Sequence, residues 1–320
     1  MLKIKIKKPK ITARKAGALG ARIAIPIARW VFILAISYIL LYPLFYMISV
    51  AVKAPMDFVD TTVVWVPKNY SFHNITKAFK ALDYMTTFGN TVKVGIVSAL
   101  IEVVTCSVTA YGLARFEFKE KKVLMFLLIL TILVPLPMII TPLAVRMRYL
   151  DFFGILGFIG DLIGTDIRPN LLNSPWAFYI PSIFSVGLKA GLFTYMYIQF
   201  FKGLPKELEE AASIDGAGPL KTFTTIVVPS SGTIFLTVTI FSIIWHWNDT
   251  FLSTMFLSKD YPLSVALSRI GSKNIGDMYD PKTTGIVFAG CLLVILPMLI
   301  LYCILQRQFI KSIDRVGIVG

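Results

Sequence analysis

The sequence predicts an all-α protein that crosses a membrane several times. Two observations on composition predict this fold class: 56% of the 320 residues are hydrophobic and only 16% are charged, with a mean hydropathy of +0.73. That composition is too apolar for a water-soluble domain. The third observation is that several apolar runs reach the length of about 20 residues that a helix needs to cross a hydrocarbon core of ~30 Å.

Six apolar runs reach that length, so we predict a polytopic membrane domain with six transmembrane helices over residues 29–305. The runs lie near 29–50, 87–113, 123–145, 175–200, 231–256 and 283–305. Lys189 interrupts the fourth run, and the polar cluster 245–249 interrupts the fifth. A basic arm, residues 1–28, precedes this domain, and a tail, residues 306–320, follows it.

The basic residues predict the orientation. Residues 1–28 contain lysines and arginines but no acidic residue, and segments of this kind stay in the cytoplasm. Six spans then place the tail and the polar loop 202–230 on the same side. The sequence therefore predicts a multi-pass protein of the inner or plasma membrane with both termini cytoplasmic. Topology and membrane lipid also account for the net charge of +14, so nucleic acid is not an expected partner.

The polar loop, residues 202–230, predicts two short helices joined by a turn. Pro205 fits the first turn of a helix, where its missing N–H costs nothing. Asp215-Gly216 supplies a turn residue and a glycine that can take a positive φ. A second helix could begin at Pro219. Its apolar stripe would comprise Leu220, Phe223 and Val227. An amphipathic pair lying on the membrane surface is the alternative interpretation.

The spacing within this loop resembles the EAA loop of permease subunits in ATP-binding-cassette (ABC) importers. That pattern is Glu-Ala-Ala, three residues, Gly, nine residues, Ile, one residue, Leu, Pro. The matching positions are Glu210-Ala211-Ala212, Gly216, Ile226, Val228 and Pro229. Val228 departs from the usual Leu, and Gly232 stands where many sugar permeases carry a further proline. The resemblance implies that a separate ATPase contacts Glu210, Ala211, Ala212, Asp215, Gly216, Ala217, Ile226 and Pro229.

Further motifs resemble the sugar-uptake branch of these permeases, similar to the smaller permease subunit of the maltose transporter. They are Asn90-Thr91, the run 110–116, Trp247-Asn248-Asp249 and the run 306–311. The resemblance implies the type I ABC importer architecture. It also implies a homologous second permease subunit, two ATP-binding-cassette ATPase subunits, an extracytoplasmic solute-binding protein and a sugar substrate, in particular an oligosaccharide.

No enzyme activity or cofactor is expected of this chain. Residues 216–222 superficially resemble a phosphate-binding loop, but Leu220 stands where a glycine precedes the lysine, and no strand precedes the loop. ATP would therefore be bound and hydrolysed by the partner subunits. The only histidines are His73 and His246, and without clustered cysteines they do not predict a metal site.

Aromatic and hydrogen-bonding side chains within the spans are candidates for lining a sugar path. The candidates are Asn90, Tyr195, Tyr197, Trp245, Trp247, Asn248 and Asp249. Aromatic residues near membrane interfaces often act as anchors instead, and Asn248 and Asp249 could cap or bridge helices. Because charge is costly in a membrane, we also expect Glu102 and Lys93 to face protein or water.

Two other functions stay open at this point. An ion-driven secondary transporter would show inverted repeats and paired acidic residues in its spans, and neither is visible. A membrane scaffold without a transport role would leave the EAA spacing unexplained. The apolar segment 152–164 is too short to span and predicts an interfacial or re-entrant helix on the outer side. It could meet the external binding protein or pack over the third and fourth spans.

Overall fold

The computed structural model describes residues 13–151, 153–272 and 281–316. Most of these residues are helical and none of them forms a sheet; one isolated antiparallel bridge joins Lys53 to Tyr70. The predicted all-α fold class is confirmed. Residues 1–12 of the basic arm and 317–320 of the tail lie outside the described residues.

The N-terminal part of the chain contains two long apolar helices. Its elements are α1 (Ala13–Ala51), a 3₁₀ turn (Pro55–Phe58), α2 (His73–Ala81), α3 (Tyr84–Thr91), a π-helical turn (Val92–Ile96) and α4 (Val97–Arg115). The π-helical turn joins α3 to α4 in one apolar helix of 32 residues, more than half of it buried. In contrast, the apolar stretch Ile25–Ala51 of α1 is largely exposed. An exposed apolar surface of this length marks contact with lipid or with another subunit.

The third predicted run, 123–145, forms two helices instead of one. They are α5 (Lys121–Leu133) and α6 (Leu136–Arg148), and they meet at an angle of 107°. Pro135 lies at the N-cap of α6 and Val134 before it is extended. Proline cannot donate a backbone hydrogen bond and disfavours helical geometry in the preceding residue, which explains the break.

The fourth predicted run, 175–200, is also broken. After α7 (Ile155–Ile163), which confirms the short helix predicted in 152–164, the chain forms α8 (Trp176–Ile183) and α9 (Ala190–Lys202). Between α8 and α9 the backbone takes positive φ at Ser185 (56°) and Lys189 (64°). These conformations are incompatible with a continuous helix.

The C-terminal part contains the polar loop and the last membrane helices. Its elements are α10 (Glu207–Ile214), α11 (Pro219–Thr222), a π-helical turn (Phe223–Val227), α12 (Val228–Ser230), α13 (Gly232–Asn248), α14 (Phe251–Phe256), α15 (Leu263–Ser268), a 3₁₀ turn (Ile270–Ser272) and α16 (Pro281–Val316). The described helices provide three crossings of sufficient length, or five if each bent pair counts as one span. The number of six spans stays a prediction.

One apolar core joins α4, α9 and α13. Its largest members, Phe193, Tyr197 and Phe201, are completely buried beside Cys106 and Val238. Alanines at several positions of this core allow the helix backbones to approach closely, as is common where helices associate in a membrane. A second core packs α2 and α15 against α16.

A buried carboxylate ties these helices together in their middle. Glu102 of α4 is completely buried. Ser242 of α13 donates a hydrogen bond of 2.9 Å to its Oε2. Ser182 of α8 lies 3.3 Å from Oε1, and Nε2 of His246 lies 3.7 Å from the same oxygen. This arrangement confirms the expectation that Glu102 faces protein, and it fixes α4 relative to both α8 and α13.

The turn after α8 approaches this carboxylate so closely that it requires glycine. A Cβ added at Gly187 would collide with Oε1 of Glu102 and would lie 2.8 Å from Oγ of Ser182. The absence of a side chain at Gly187 is therefore part of the Glu102 site.

We predict that the effects of Gly187→Ala and Glu102→Ala on thermal stability are not additive. Each change alone should lower the unfolding midpoint of the detergent-purified protein. Glu102→Ala removes a buried hydrogen-bonding partner, which costs roughly 1–3 kcal/mol, and Gly187→Ala places a Cβ against Oε1 of Glu102. In the Glu102→Ala background the closest clash is removed and only the contact with Oγ of Ser182 has to be relieved by a shift of that side chain, so the second change should cost less.

Gly112→Ala is the control for this cycle, because Gly112 also lies on α4 but no atom lies within 4 Å of its Cβ position. Additive losses in the double variant would show that the contact between Gly187 and Glu102 does not matter for stability.

Candidate coupling loop and transport path

The first helix of the polar loop is fixed to the end of α4 by an ion pair. Nε of Arg115 lies 2.6 Å from Oε1 of Glu209, and the two side chains are only 7% and 16% exposed. The hydroxyl of Tyr111 donates to Oε2 of Glu209 over 3.1 Å. Nη2 of Arg115 donates to the carbonyl of Leu204 over 3.0 Å. The loop helix and α4 are thereby joined by both charge and hydrogen bonds.

The predicted turn of the loop is present. Gly216 has φ +79°, and its N–H donates to the carbonyl of Ser213. The N–H of Ala217 donates to the carbonyl of Ala212, which satisfies the end of α10. One detail of the prediction is wrong: Pro205 precedes the helix, because Lys206 is the N-cap and α10 begins at Glu207.

The predicted coupling residues differ in exposure. Glu210, Ala211, Asp215, Gly216 and Pro229 are exposed, whereas Ala212, Ala217 and Ile226 are half-buried. The five exposed residues can be reached by a partner, and the three half-buried residues retain some accessible surface.

The second helix of the loop does not carry the predicted stripe. Phe223 and Val227 are buried, but Leu220 is 72% exposed. The reason is that the α-helical register lasts only from Pro219 to Thr222 before the π-helical turn Phe223–Val227 changes it.

Leu220 belongs instead to an apolar group on the outer surface of the loop. Ile214 is 88% exposed and Leu208 is also exposed. Ile214 also lines a cavity of about 400 Å³, with Tyr111, Arg115 and Glu209 in its wall. Apolar side chains exposed around a concave surface are typical of a protein interaction site.

Three of the predicted path residues are engaged within the protein. Tyr197 is completely buried and its ring stacks on Phe201. Trp247 is buried and donates from Nε1 to the carbonyl of Val294 over 3.1 Å. Asp249 is buried and accepts hydrogen bonds from the backbone of α14 at its first turn. All three side chains are buried. Asp249 caps the start of α14, which is one of the roles that the sequence analysis gave as an alternative to lining the path.

The other four candidates have accessible surface. Asn90 and Tyr195 are half-buried, and Nδ2 of Asn90 lies 3.5 Å from the carbonyl of Tyr261. Trp245 is 43% exposed and Asn248 is exposed, with its Nδ2 donating to the carbonyl of Ile244. Trp245 and Asn248 lie three residues apart on α13 and so share one face of that helix.

Sequence reasoning missed two residues of these sites. The sequence analysis singled out neither Glu209, which lies in the polar loop, nor Arg115, which lies in the run 110–116. Their burial as a pair identifies them as the anchor of the loop. The signal available in the sequence was the position of Arg115 in the motif 110–116, but nothing in the sequence indicates its partner.

Comparison with known proteins identifies the family. Residues 103–315 match the family model described as the binding-protein-dependent transport system inner membrane component. The chain is 31% identical to the melibiose/raffinose/stachyose import permease protein MelC of Bacillus subtilis, over 87% of this chain and 91% of that protein. It is 28% identical to the diacetylchitobiose uptake system permease protein NgcG of Streptomyces coelicolor, over 87% and 84%.

The fold is also found in solved structures. A bacterial ABC transporter involved in the import of the acidic polysaccharide alginate matches with a TM-score of 0.67 and 20% identity, over 91% of this chain and 98% of that chain. A chain from the structure of a bacterial alginate ABC transporter in complex with an alginate pentasaccharide-bound periplasmic protein also matches. Its TM-score is 0.60 and its identity 17%, over 91% of this chain and 97% of that chain. These two likenesses show the fold. The family match over residues 103–315 and the 31% identity to MelC show that this multi-pass chain belongs to the family of binding-protein-dependent transport system inner membrane components.

Proposed function

We propose that this chain is one of two permease subunits of an ATP-driven importer and forms, with a homologous second permease, the path for a sugar. A separate pair of ATPase subunits would bind and hydrolyse ATP, and an extracytoplasmic binding protein would deliver the substrate. Family membership gives no support to an ion-driven carrier or to a scaffold without a transport role.

The observation that carries this proposal is the attachment of the polar loop to α4. The loop presents exposed Ile214 and Leu220 outward, while Glu209 holds it to Arg115 at the end of a helix of 32 residues. A partner that moved the loop would therefore move α4. Glu102 links the middle of α4 to α8 and α13, so the movement would reach the helices around a path. Coupling of this kind needs contacts that differ between two states of the transporter.

The relatives support a sugar as substrate. MelC and NgcG are named for the uptake of melibiose, raffinose, stachyose and diacetylchitobiose, and a further relative of 25% identity from Mycobacterium tuberculosis is the trehalose transport system permease protein SugB. Trp245 and Asn248 are the predicted path residues with the best access to such a substrate, since both are exposed on one face of α13.

We place both termini and the polar loop in the cytoplasm, as the distribution of basic residues predicts. In a variant without native cysteines, a cysteine at Ser213 should resist an impermeant thiol reagent in intact cells. A cysteine at Thr165, in the exposed segment after α7, should react. The reverse pattern would contradict the orientation and, with it, the assignment of the loop to the ATPase.

We predict that Glu209→Gln uncouples ATP hydrolysis from transport. The change leaves the mostly buried Arg115 without its carboxylate, and breaking such a pair costs roughly 3–5 kcal/mol when it is fully buried. Helix α10 should then detach from α4 while the membrane helices stay folded. The measurement is ATP hydrolysis by the complete importer in proteoliposomes, with and without liganded binding protein. We expect normal amounts of permease in the membrane and loss of the stimulated hydrolysis.

Two further variants test this mechanism. Exchanging the charges, with Arg115→Glu and Glu209→Arg in one chain, should restore part of the stimulation. Glu117→Gln should have no effect. Lys121 pairs with Glu117 and lowers the pKa of its carboxyl group, but this side chain is 87% exposed, and exposed pairs contribute little. Stimulated hydrolysis at the wild-type level in Glu209→Gln would show that the pair does not couple the loop to the membrane helices.

A further inference from the structure

The charged side chains in the middle of the central membrane helices differ in whether they are buried and hydrogen-bonded. Between the ends of α3–α4, α8–α9 and α13–α14, the aspartate, glutamate, lysine and arginine residues are Lys93, Glu102, Lys189 and Asp249. Both carboxylates are buried and accept hydrogen bonds from the protein. Both lysines are exposed, and neither forms an ion pair within the described residues. The accessible charge in this region is therefore positive.

Lys189 lies deep in the membrane region. It is the N-cap of α9, whose 13 residues end at Lys202, so it lies about 20 Å from the cytoplasmic end of that helix at a rise of 1.5 Å per residue. The carboxylate of Glu102 lies on α4 at a similar separation from Arg115. In a hydrocarbon core of ~30 Å, Lys189 therefore lies well below either surface.

The ammonium group of Lys189 lies beside an aromatic ring. Its Nζ is 4.7 Å from the ring centre of Trp245, within the range of a cation–π contact. Lys189 has a left-handed backbone, with φ 64°, and its side chain is exposed. Asn248 is exposed on the same face of α13 as Trp245. We name Lys189, Trp245 and Asn248 the cationic face.

The cationic face cannot face lipid, because an ammonium group in hydrocarbon is costly and such groups turn toward water or protein. Water in a transport path satisfies this requirement. The three side chains match the parts of one acidic sugar ring. An ammonium group pairs with a carboxylate, an indole packs on the apolar side of a pyranose, and an amide binds hydroxyl groups as donor and acceptor.

We propose that the cationic face is a subsite for the carboxylate-bearing ring of an acidic oligosaccharide, such as one built of uronic acid units. The inference rests on the proposed function, because it requires that this face borders the path.

Lys93 contributes a second exposed positive charge. It lies on the continuous helix formed by α3 and α4, nine residues before Glu102 and about 13 Å from it along the helix axis. It extends the positive potential toward the outer end, where it would attract an anionic substrate.

The experiment measures binding to the purified complex of the two permeases and the ATPase, without the binding protein. The probes are fluorescently end-labelled tetragalacturonate, which is anionic, and maltotetraose, which is neutral, followed by fluorescence anisotropy at low ionic strength. We expect tetragalacturonate to bind at least tenfold more tightly than maltotetraose and to weaken with added salt. Lys189→Met should remove this preference, and Lys189→Arg should keep it because the charge remains.

Lys68→Met is the matched control, since Lys68 is an exposed lysine paired with Asp60 in the segment between α1 and α2, and it should bind as the wild type does. Equal binding of the two probes, or no binding of tetragalacturonate, would overturn the inference. Loss of the second permease from the Lys189→Met complex would also overturn it, because Lys189 would then be a contact between subunits. Recovery of the ATPase in the wild-type preparation separates the two proposals, since its absence would contradict the proposed function itself.

Discussion

The ion pair between Arg115 and Glu209 attaches the polar loop to the membrane helices. Helix α10 has only eight residues, none of them fully buried, and a helix of that length is not stable alone. It keeps its place because Glu209 accepts from Tyr111 and pairs with Arg115, whose Nη2 also binds the carbonyl of Leu204. The polar loop is thus an extension of α4.

Farther along α4, the buried carboxylate of Glu102 provides the second connection. It joins α4 to Ser182 of α8 and Ser242 of α13, and Gly187 allows the turn before α9 to pass against it. The same helix therefore carries a contact to the loop at its end and a contact to two other helices in its middle. Both contacts are made by polar groups with little exposure, an ion pair at Glu209 and hydrogen bonds at Glu102, so separating either one is costly. Helix α4 is therefore suited to transmit movement between them.

The sequence was informative where local chemistry decides the structure. Gly216 takes the positive φ predicted for the turn, and Pro219 begins a helix as predicted. It was less informative where distant contacts decide. Hydropathy alone does not reveal the bend at Pro135 or the turn before Lys189, although the proline and the lysine are themselves local signals of a break. Nor does it separate Tyr197, which is completely buried, from accessible Trp245, because that difference depends on which helices pack against each side chain.

The most direct test of this account measures whether α10 and α4 move as one unit. In a variant with its native cysteines replaced, spin labels at Lys206 and Val108 would report the distance between α10 and α4, and labels at Lys206 and Tyr38 the distance from α10 to α1. All three positions are exposed. Pulsed electron spin resonance on the complete importer, with and without trapped nucleotide, should find the first distance unchanged and the second altered. A change in the distance between α10 and α4 would show that the ion pair does not hold the loop to the helix during transport.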